Sequence, residues 1–202
     1  MKASHFGAIL MALSGLMAFA VNAGDLEAGK AKSAVCASCH GVDGNSSNAI
    51  WPSLAGQHAS YLIKQLQEFK AGTRADPTMQ GMAALLNDED MMNVAAYFES
   101  QKPKAVAFDD ELIEMGESIY RGGITETSVA ACIGCHAPGG SGNGPAAWPS
   151  LKGQHPQYLA AQLQKFKDGA RSNDPGSMMR NVVVRMSEKE MKAVAAYIAG
   201  IQ

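Results

Sequence analysis

The stretch Cys36-Ala37-Ser38-Cys39-His40 recurs later in the chain as Cys132-Ile133-Gly134-Cys135-His136, and this repeated pattern decides the fold. Each stretch reads C-x-x-C-H, the spacing with which a c-type haem is attached. The two thiols add across the haem vinyl groups, and the adjacent His supplies the proximal iron ligand. One such motif could instead belong to a zinc site or a redox dithiol. Two motifs at matching places in a repeat predict two covalently bound haem c groups, and they use all four cysteines of the chain.

The first 23 residues have the pattern of a secretory signal. Lys2 gives a weakly positive start, residues 6–19 form an apolar run, and Val21-Asn22-Ala23 offers small residues at a cleavage site. We expect cleavage after Ala23, so that the mature chain begins at Gly24. An uncleaved anchor is the alternative, but the run is short for a span of about 20 residues. Because haem attachment through C-x-x-C-H takes place outside the cytoplasm, the two features together predict a periplasmic protein.

The charge balance narrows the choice of partners. The chain has 17 basic and 19 acidic residues, a formal net charge of −2. Loss of Lys2 with the signal changes this to −3. Proteins that bind nucleic acid carry a basic stripe, so no nucleic-acid partner is expected. The weak charge predicts only modest electrostatic steering of partners. The sequence leaves peripheral association of the mature chain with a membrane open.

The two halves of the chain repeat each other beyond the haem motifs. Matching segments are Trp51-Pro52-Ser53-Leu54 with Trp148-Pro149-Ser150-Leu151, Gly56-Gln57-His58 with Gly153-Gln154-His155, and Val94-Ala95-Ala96-Tyr97 with Val194-Ala195-Ala196-Tyr197. Two copies indicate a tandem duplication rather than a solenoid. We therefore predict a signal peptide at 1–23, an N-terminal domain at 24–104 and a C-terminal domain at 105–202.

Each unit has the pattern of an all-α domain without a convincing strand. The predicted helices are 25–34, 59–71 and one beginning at Asn87 in the first unit, and 110–120, 156–168 and one beginning at Ser187 in the second. Ser187 and Glu190 form a capping box, and Gly72 and Gly169 suit helix C-termini. A unit of about 80 residues buries little apolar surface, so the haem is expected to complete each core.

The ligand on the other side of each iron decides between an electron carrier and an enzyme. The candidate thioethers are Met79, Met82, Met178, Met179 and Met186. Met79 and Met179 both lie eight residues before the predicted start of the last helix, and we predict that they are the axial ligands. Met82 and Met186 have no methionine at the matching position of the other unit. Met178 is the alternative to Met179, because a one-residue gap would exchange the two.

Two further histidines could in principle bind iron in place of methionine. His58 and His155 occupy matched positions, and they are the only histidines outside the haem motifs and the signal. Each directly precedes a predicted middle helix, after the Trp-Pro segment. This position favours a role at the surface or at a helix end over iron ligation.

The combination of these features is similar to the dihaem cytochrome c4 proteins of bacteria, and the similarity covers essentially the whole mature chain. It rests on two C-x-x-C-H units after an export signal, and on a Met-bearing loop before a helix with Ala-Ala-Tyr. A third shared element is Pro-x-Leu-x-Gly, present at 52–56 and 149–153. The resemblance implies two tandem class I cytochrome c folds with His/Met coordination, the ligands being His40 and Met79, and His136 and Met179.

The resemblance also implies details of the haem surroundings. The carbonyls of Pro52 and Pro149 would accept the Nδ1–H of the two axial histidines and so hold the imidazoles. Leu54 and Leu151 would pack on the haems. Two further glycines, Gly29 and Gly116, would let the first helix of each domain cross the last.

The expected function is the transfer of single electrons between redox proteins of the respiratory chain, with a terminal oxidase as acceptor by resemblance. Filled axial positions on both irons favour electron transfer, because the iron geometry changes little between oxidation states. A dihaem oxidoreductase, such as a peroxidase or a thiosulfate-oxidising enzyme, would need an open iron. A structural or sensory subunit of a larger complex is the third possibility.

Overall fold

The computed structural model of the protein describes residues 24–107 and 110–201, so the predicted signal peptide lies outside the described residues. In the first half the helices are α1 (Leu26–Lys32), α2 (Ala37–His40), α3 (Ala59–Lys70), α4 (Pro77–Ala84) and α5 (Asp88–Ser100). In the second half they are α6 (Ile113–Gly122), α7 (Ile133–His136), α8 (Pro156–Lys167), α9 (Met178–Val183) and α10 (Glu188–Gly200). Within these ranges the only β pairings are isolated bridges at Ile124–Val129 and Asn143–Trp148. The all-α prediction is confirmed.

Side-chain caps explain where several helices begin. The Asp25 carboxylate accepts hydrogen bonds from two backbone N–H groups in the first turn of α1. The predicted capping box of Ser187 and Glu190 is present at α10, and Asn87 and Asp90 form an equivalent one at α5. Such caps satisfy N–H groups that have no partner within the helix.

The segments that carry the candidate axial methionines differ from the prediction. The sequence predicted loops, but residues 77–84 and 178–183 form α4 and α9. The Asp76 carboxylate caps α4 by accepting from Met79 N at 3.1 Å, and Pro77 occupies the first turn, where a missing N–H costs nothing. Met79 therefore lies in the first turn of a short capped helix, which fixes its backbone.

The first and last helices of each half cross closely. A Cβ atom on Gly29 would overlap the backbone oxygen of Asn93 in α5, and one on Gly116 would overlap that of Ala193 in α10. Only glycine permits this approach of two backbones. The crossings confirm what the family resemblance implied for these two glycines.

The middle helices α3 and α8 pack on α5 and α10, and the helix pairs with extensive contacts lie within one half of the chain. The buried cluster of the first half comprises Leu62, Val94, Ala95, Tyr97 and Phe98. The second half has a larger cluster that also draws on α6, α9 and the bridge at Val129. None of the helices in the described ranges is long and apolar enough to cross a bilayer.

Candidate functional site

The two C-x-x-C-H motifs open onto one continuous cavity of about 480 Å³ that extends through both halves. Residues that line it from the motifs are Cys36, Cys39, His40, Cys132, Cys135 and His136. Leu54 and Leu151 line it as well, as the resemblance implied. The structure thus brings the predicted attachment residues of each half to the wall of an interior space.

The two motif histidines are buried and held in the same way. His40 Nδ1 lies 2.8 Å from Pro52 O, and His136 Nδ1 lies 3.1 Å from Pro149 O. Because a carbonyl can only accept, Nδ1 carries the proton and Nε2 keeps its lone pair. Burial lowers the pKa of both imidazoles, and the bond to the carbonyl offsets this only in part. Each ring is therefore a neutral imidazole with one nitrogen free to bind a metal.

The cysteines do not resemble a reactive redox dithiol. Burial raises the pKa of the Cys36 thiol, and it raises that of Cys132 to about 11. Redox-active C-x-x-C motifs have a lowered thiol pKa that stabilises the thiolate. The surroundings of Cys36 and Cys132 therefore keep these two thiols protonated, and the sulfur and hydrogen of a thiol are the two atoms that add across a vinyl group.

The five candidate methionines all line the cavity but differ in burial. Met79 and Met179 are half-buried, and Met179 packs against the C-terminal cluster. Met178 is 39% exposed, whereas Met186 is 1% exposed and belongs to the C-terminal cluster itself. Met186 thus has a packing role, and the exposure of Met178 favours Met179 as the ligand.

His58 and His155 make contacts that the sequence did not reveal. His58 Nε2 lies 2.7 Å from Ser141 O, and His155 Nε2 lies 2.9 Å from Ser46 O in the opposite half. Each is the residue before a middle helix, but its side chain makes no capping bond. Both imidazoles therefore hold the two halves together.

A polar cluster lies where the halves meet, and Arg74 and Arg171 are its centre. The two residues are 8% and 7% exposed, and each guanidinium stacks about 4.5 Å from the centre of a phenylalanine ring. Arg74 donates to Gln65, Tyr158 and Gln162, and Arg171 donates to Asn173, Gln162, Tyr61 and Gln65. Among the described residues, no carboxylate is hydrogen-bonded to either guanidinium.

These two arginines were not singled out from the sequence, although their matched positions in the repeat are a signal that could have found them. A buried guanidinium that is not hydrogen-bonded to a carboxylate is costly. Both arginines line the cavity, so they suit a ligand that brings its own carboxylates. A haem carries two propionates, and the thiols, imidazoles, thioethers and guanidinium groups present fit it.

Paired helical halves, each with an attachment motif, a neutral histidine and a methionine around an interior cavity, define a c-type cytochrome with two haem sites. The family model for cytochrome c matches residues 26–102 and 125–202. The chain is 46% identical to cytochrome c4 of Azotobacter vinelandii, over 95% of this chain and 96% of that one. It superimposes on the crystal structure of reduced recombinant cytochrome c4 from Pseudomonas stutzeri with a TM-score of 0.86 and 46% identity, covering 89% of this chain and 100% of that one.

The chain belongs to the cytochrome c4 family. It is an electron carrier rather than an enzyme, and it binds two covalently attached haem c groups, one in each domain. It is also 40% identical to a thiosulfate dehydrogenase electron acceptor of Stutzerimonas stutzeri, over 82% of this chain and 78% of that one.

Proposed function

We propose that this cytochrome works in the periplasm and passes single electrons from a respiratory donor to a terminal oxidase. The observation that carries the proposal is the equivalent arrangement of thiols, histidine and methionine in both halves of the cavity. If both irons have two axial ligands from the protein, neither has room for a substrate. The signal pattern at residues 1–23 supports export.

We assign the attachment of the first haem to Cys36 and Cys39, with His40 and Met79 as axial ligands. The second haem is assigned to Cys132 and Cys135, with His136 and Met179 as ligands. The bound haems supply reversible one-electron exchange. The Pro52 and Pro149 carbonyls orient the imidazoles, and such outer contacts set the basicity of a metal-bound histidine.

The arginines at the interface would neutralise the carboxylates of the haems. Among the described residues, Arg74 and Arg171 donate hydrogen bonds only to neutral side chains. A guanidinium and a carboxylate form strong charge-assisted hydrogen bonds. With carboxylates of both haems at one interface, domains 24–104 and 105–202 would offer an electron a short path from one to the other.

A second class of electron donor is favoured by one of the relatives. The similarity to a thiosulfate dehydrogenase electron acceptor supports a donor that oxidises thiosulfate. Either donor would meet this protein at a small, transient interface, as is usual for redox partners. Electron uptake from purified thiosulfate dehydrogenase, compared with uptake from a quinol-oxidising complex, would distinguish the two donors.

The proposal is tested by absorption spectra of the purified holoprotein, oxidised and reduced, with and without carbon monoxide. We expect a methionine-to-ferric charge-transfer band from two haems and no spectral change with carbon monoxide. An adduct at either haem would mean an open iron and would overturn the carrier role. Recovery from the periplasmic fraction with Gly24 as the first residue would support the export part of the proposal.

The ligand assignment is tested separately by replacing methionines. Met79→Ala and Met179→Ala should each remove the charge-transfer band of one haem and lower its reduction potential, because the thioether favours ferrous iron. Met178→Ala is the matched control and should leave both bands in place. If Met178→Ala removes a band and Met179→Ala does not, the assignment in the second domain is wrong.

A further inference from the structure

We propose that each domain positions the axial histidine of the other domain, through Gln57 and Gln154. Each glutamine side chain binds the peptide unit whose carbonyl holds the histidine across the interface. The inference rests on the axial roles proposed above for His40 and His136. It concerns the reduction potential of each haem, which neither the cavity nor the ligand set alone determines.

Gln154 of the second domain contacts Ser53 of the first. Its Oε1 accepts from Ser53 N at 2.9 Å, and its Nε2 donates to Ser53 O at 2.9 Å. Gln154 and Ser53 are each only 6% exposed, so water does not compete for these bonds. The side chain of one domain thus binds both polar backbone groups of a residue in the other.

The Ser53 N–H belongs to the same planar peptide unit as the Pro52 carbonyl. A peptide bond allows almost no rotation between its C=O and its N–H. Holding the Ser53 N–H therefore fixes the direction of Pro52 O, which accepts the His40 Nδ1–H at 2.8 Å. One rigid plane connects Gln154 of the second domain with the imidazole of the first.

The same arrangement occurs in the opposite direction. Gln57 Oε1 accepts from Ser150 N at 2.8 Å, and Gln57 Nε2 donates to Ser150 O at 2.8 Å. Ser150 N–H shares its peptide plane with Pro149 O, the acceptor for His136. The same contact therefore occurs twice, at matching positions of the repeat, and this argues against an accidental contact.

Each glutamine is itself held in place. Gln57 Oε1 also accepts from His58 N, and Gln154 Oε1 also accepts from His155 N, both at 3.1 Å. Two backbone donors on one oxygen, with a carbonyl facing the nitrogen, define the orientation of each amide. The bond from the following backbone N–H lies within the glutamine's own domain, and the contacts across the interface complete the orientation of the amide.

The expected consequence for the iron has a definite sign. An N–H that donates to an acceptor makes the carbonyl of its own peptide unit a stronger acceptor, as in other cooperative hydrogen-bond chains. A stronger bond to Nδ1–H makes the imidazole more basic, which favours ferric iron and lowers the potential. Loss of Gln154 should therefore raise the potential of the N-terminal haem, and loss of Gln57 that of the C-terminal haem.

The experiment compares Gln154→Ala, Gln57→Ala and a control, Ser60→Ala, in the full-length holoprotein. Ser60 Oγ donates to Gly144 O across the same interface but touches neither proline segment. The potentials of both haems are measured by spectroelectrochemistry. Each haem is assigned by NMR contacts of its methyl groups to Leu54 of the first domain or Leu151 of the second, which both line the cavity.

We expect a crossed pattern. Gln154→Ala should shift only the N-terminal haem, by up to about tenfold in its ferrous-to-ferric equilibrium, or about 59 mV. Gln57→Ala should shift only the C-terminal haem, and Ser60→Ala should shift neither. The inference is overturned if a variant moves the haem of its own domain, moves both haems equally, or has no more effect than Ser60→Ala.

A second variant and a second measurement address damage to the fold. Gln154→Leu keeps the buried volume without the amide, and it should reproduce the shift caused by Gln154→Ala. Exchange of the His40 Nδ1–H with solvent should also be faster in both variants, while His136 keeps the wild-type rate. These readouts do not depend on methionine ligation, so the carrier proposal could fail on carbon monoxide binding while this inference holds, or the reverse.

Discussion

The two halves of the molecule hold the backbone just after the haem motif with different tyrosines. In the first half, Tyr97 of the last helix donates to Val42 O at 3.0 Å. In the second half, Tyr120 of the first helix donates to Ala137 O at 2.6 Å. Tyr197 is the counterpart of Tyr97 in the second half, and its hydroxyl donates instead to the Glu117 carboxylate at 3.4 Å. The duplicated sequence therefore provides the same restraint from the last helix in one domain and from the first helix in the other.

This difference between the domains follows from the length of the segment that joins the first helix to the haem motif. Cys36 follows Gly29 by seven residues, whereas Cys132 follows Gly116 by sixteen. The longer segment folds back through the Ile124–Val129 bridge and covers Tyr120, whose side chain has no exposure. The second domain thereby gains a protein core of its own, and the first depends more on its haem.

The largest expected effect comes from preventing haem attachment in one domain at a time. Cys36→Ala with Cys39→Ala should abolish most of the helical circular dichroism of the first domain, because its small cluster cannot replace the haem. Cys132→Ala with Cys135→Ala should leave α6 and α10 protected, since the larger cluster remains. Hydrogen exchange of α5 and α10 locates the loss, and equal loss in both domains would contradict the comparison.

The next effect concerns core packing near the ligand segments. Met186→Ala should destabilise the holoprotein by about 2–5 kcal/mol, because it leaves a cavity in the C-terminal cluster. Leu86, at the matching place, lies outside the N-terminal cluster, so Leu86→Ala should cost less. Urea unfolding measures both free energies.

Exposed Met178 is the control for that comparison, and Met178→Ala should change stability by less than about 0.5 kcal/mol. A result in which Leu86→Ala costs more than Met186→Ala would show that the first domain has the tighter core.

A smaller effect tests the tyrosines directly. Tyr120→Phe should cost about 1–3 kcal/mol, because it removes the bond of a fully buried tyrosine and leaves the Ala137 carbonyl without its donor. Tyr97→Phe should cost less, since its bond is longer and the residue is 7% exposed. Thermal unfolding of the holoprotein measures both. Tyr197→Phe should have the smallest effect of the three, and a cost equal to that of Tyr120→Phe would reverse our interpretation of the two restraints.

The smallest effect belongs to an exposed ion pair that only the first domain has. Lys104 Nζ lies 2.7 Å from the Asp43 carboxylate, and Gly139 stands at the matching place of the second domain. The hydrogen bond from Lys104 lowers the pKa of Asp43 to about 2. A lowered pKa means that the contribution to stability is present above the ordinary aspartate pKa and is lost as the pH falls towards 2.

Because both side chains are largely exposed, Asp43→Asn should cost less than about 1 kcal/mol at neutral pH and nothing at high salt. Urea unfolding at low and high ionic strength, and at pH values down to the acid limit, measures the difference from wild type. A cost that persists in high salt would mean that Asp43 acts through its backbone contact with Asn45 instead.

Much of each domain follows from patterns within a few residues of one another. The middle helices begin at Ala59 and Pro156 as predicted, and the capping box at Ser187 depends only on residues within one turn. For the segments that carry Met79 and Met179 the sequence predicts loops, because helices of only six to eight residues give little periodic signal. In the first of them, the Asp76 cap rather than an apolar pattern marks the start of the helix.

By itself the sequence determined the number of haems, their covalent attachment and the family, because the spacing of two thiols and a histidine is set over five residues. Only the tertiary structure decided how the domains meet. Ser53 and Gln154 are 101 positions apart, and His58 and Arg74 each bind a residue in the other half of the chain. Such contacts depend on the orientation in which two finished domains pack, and no local pattern specifies that orientation.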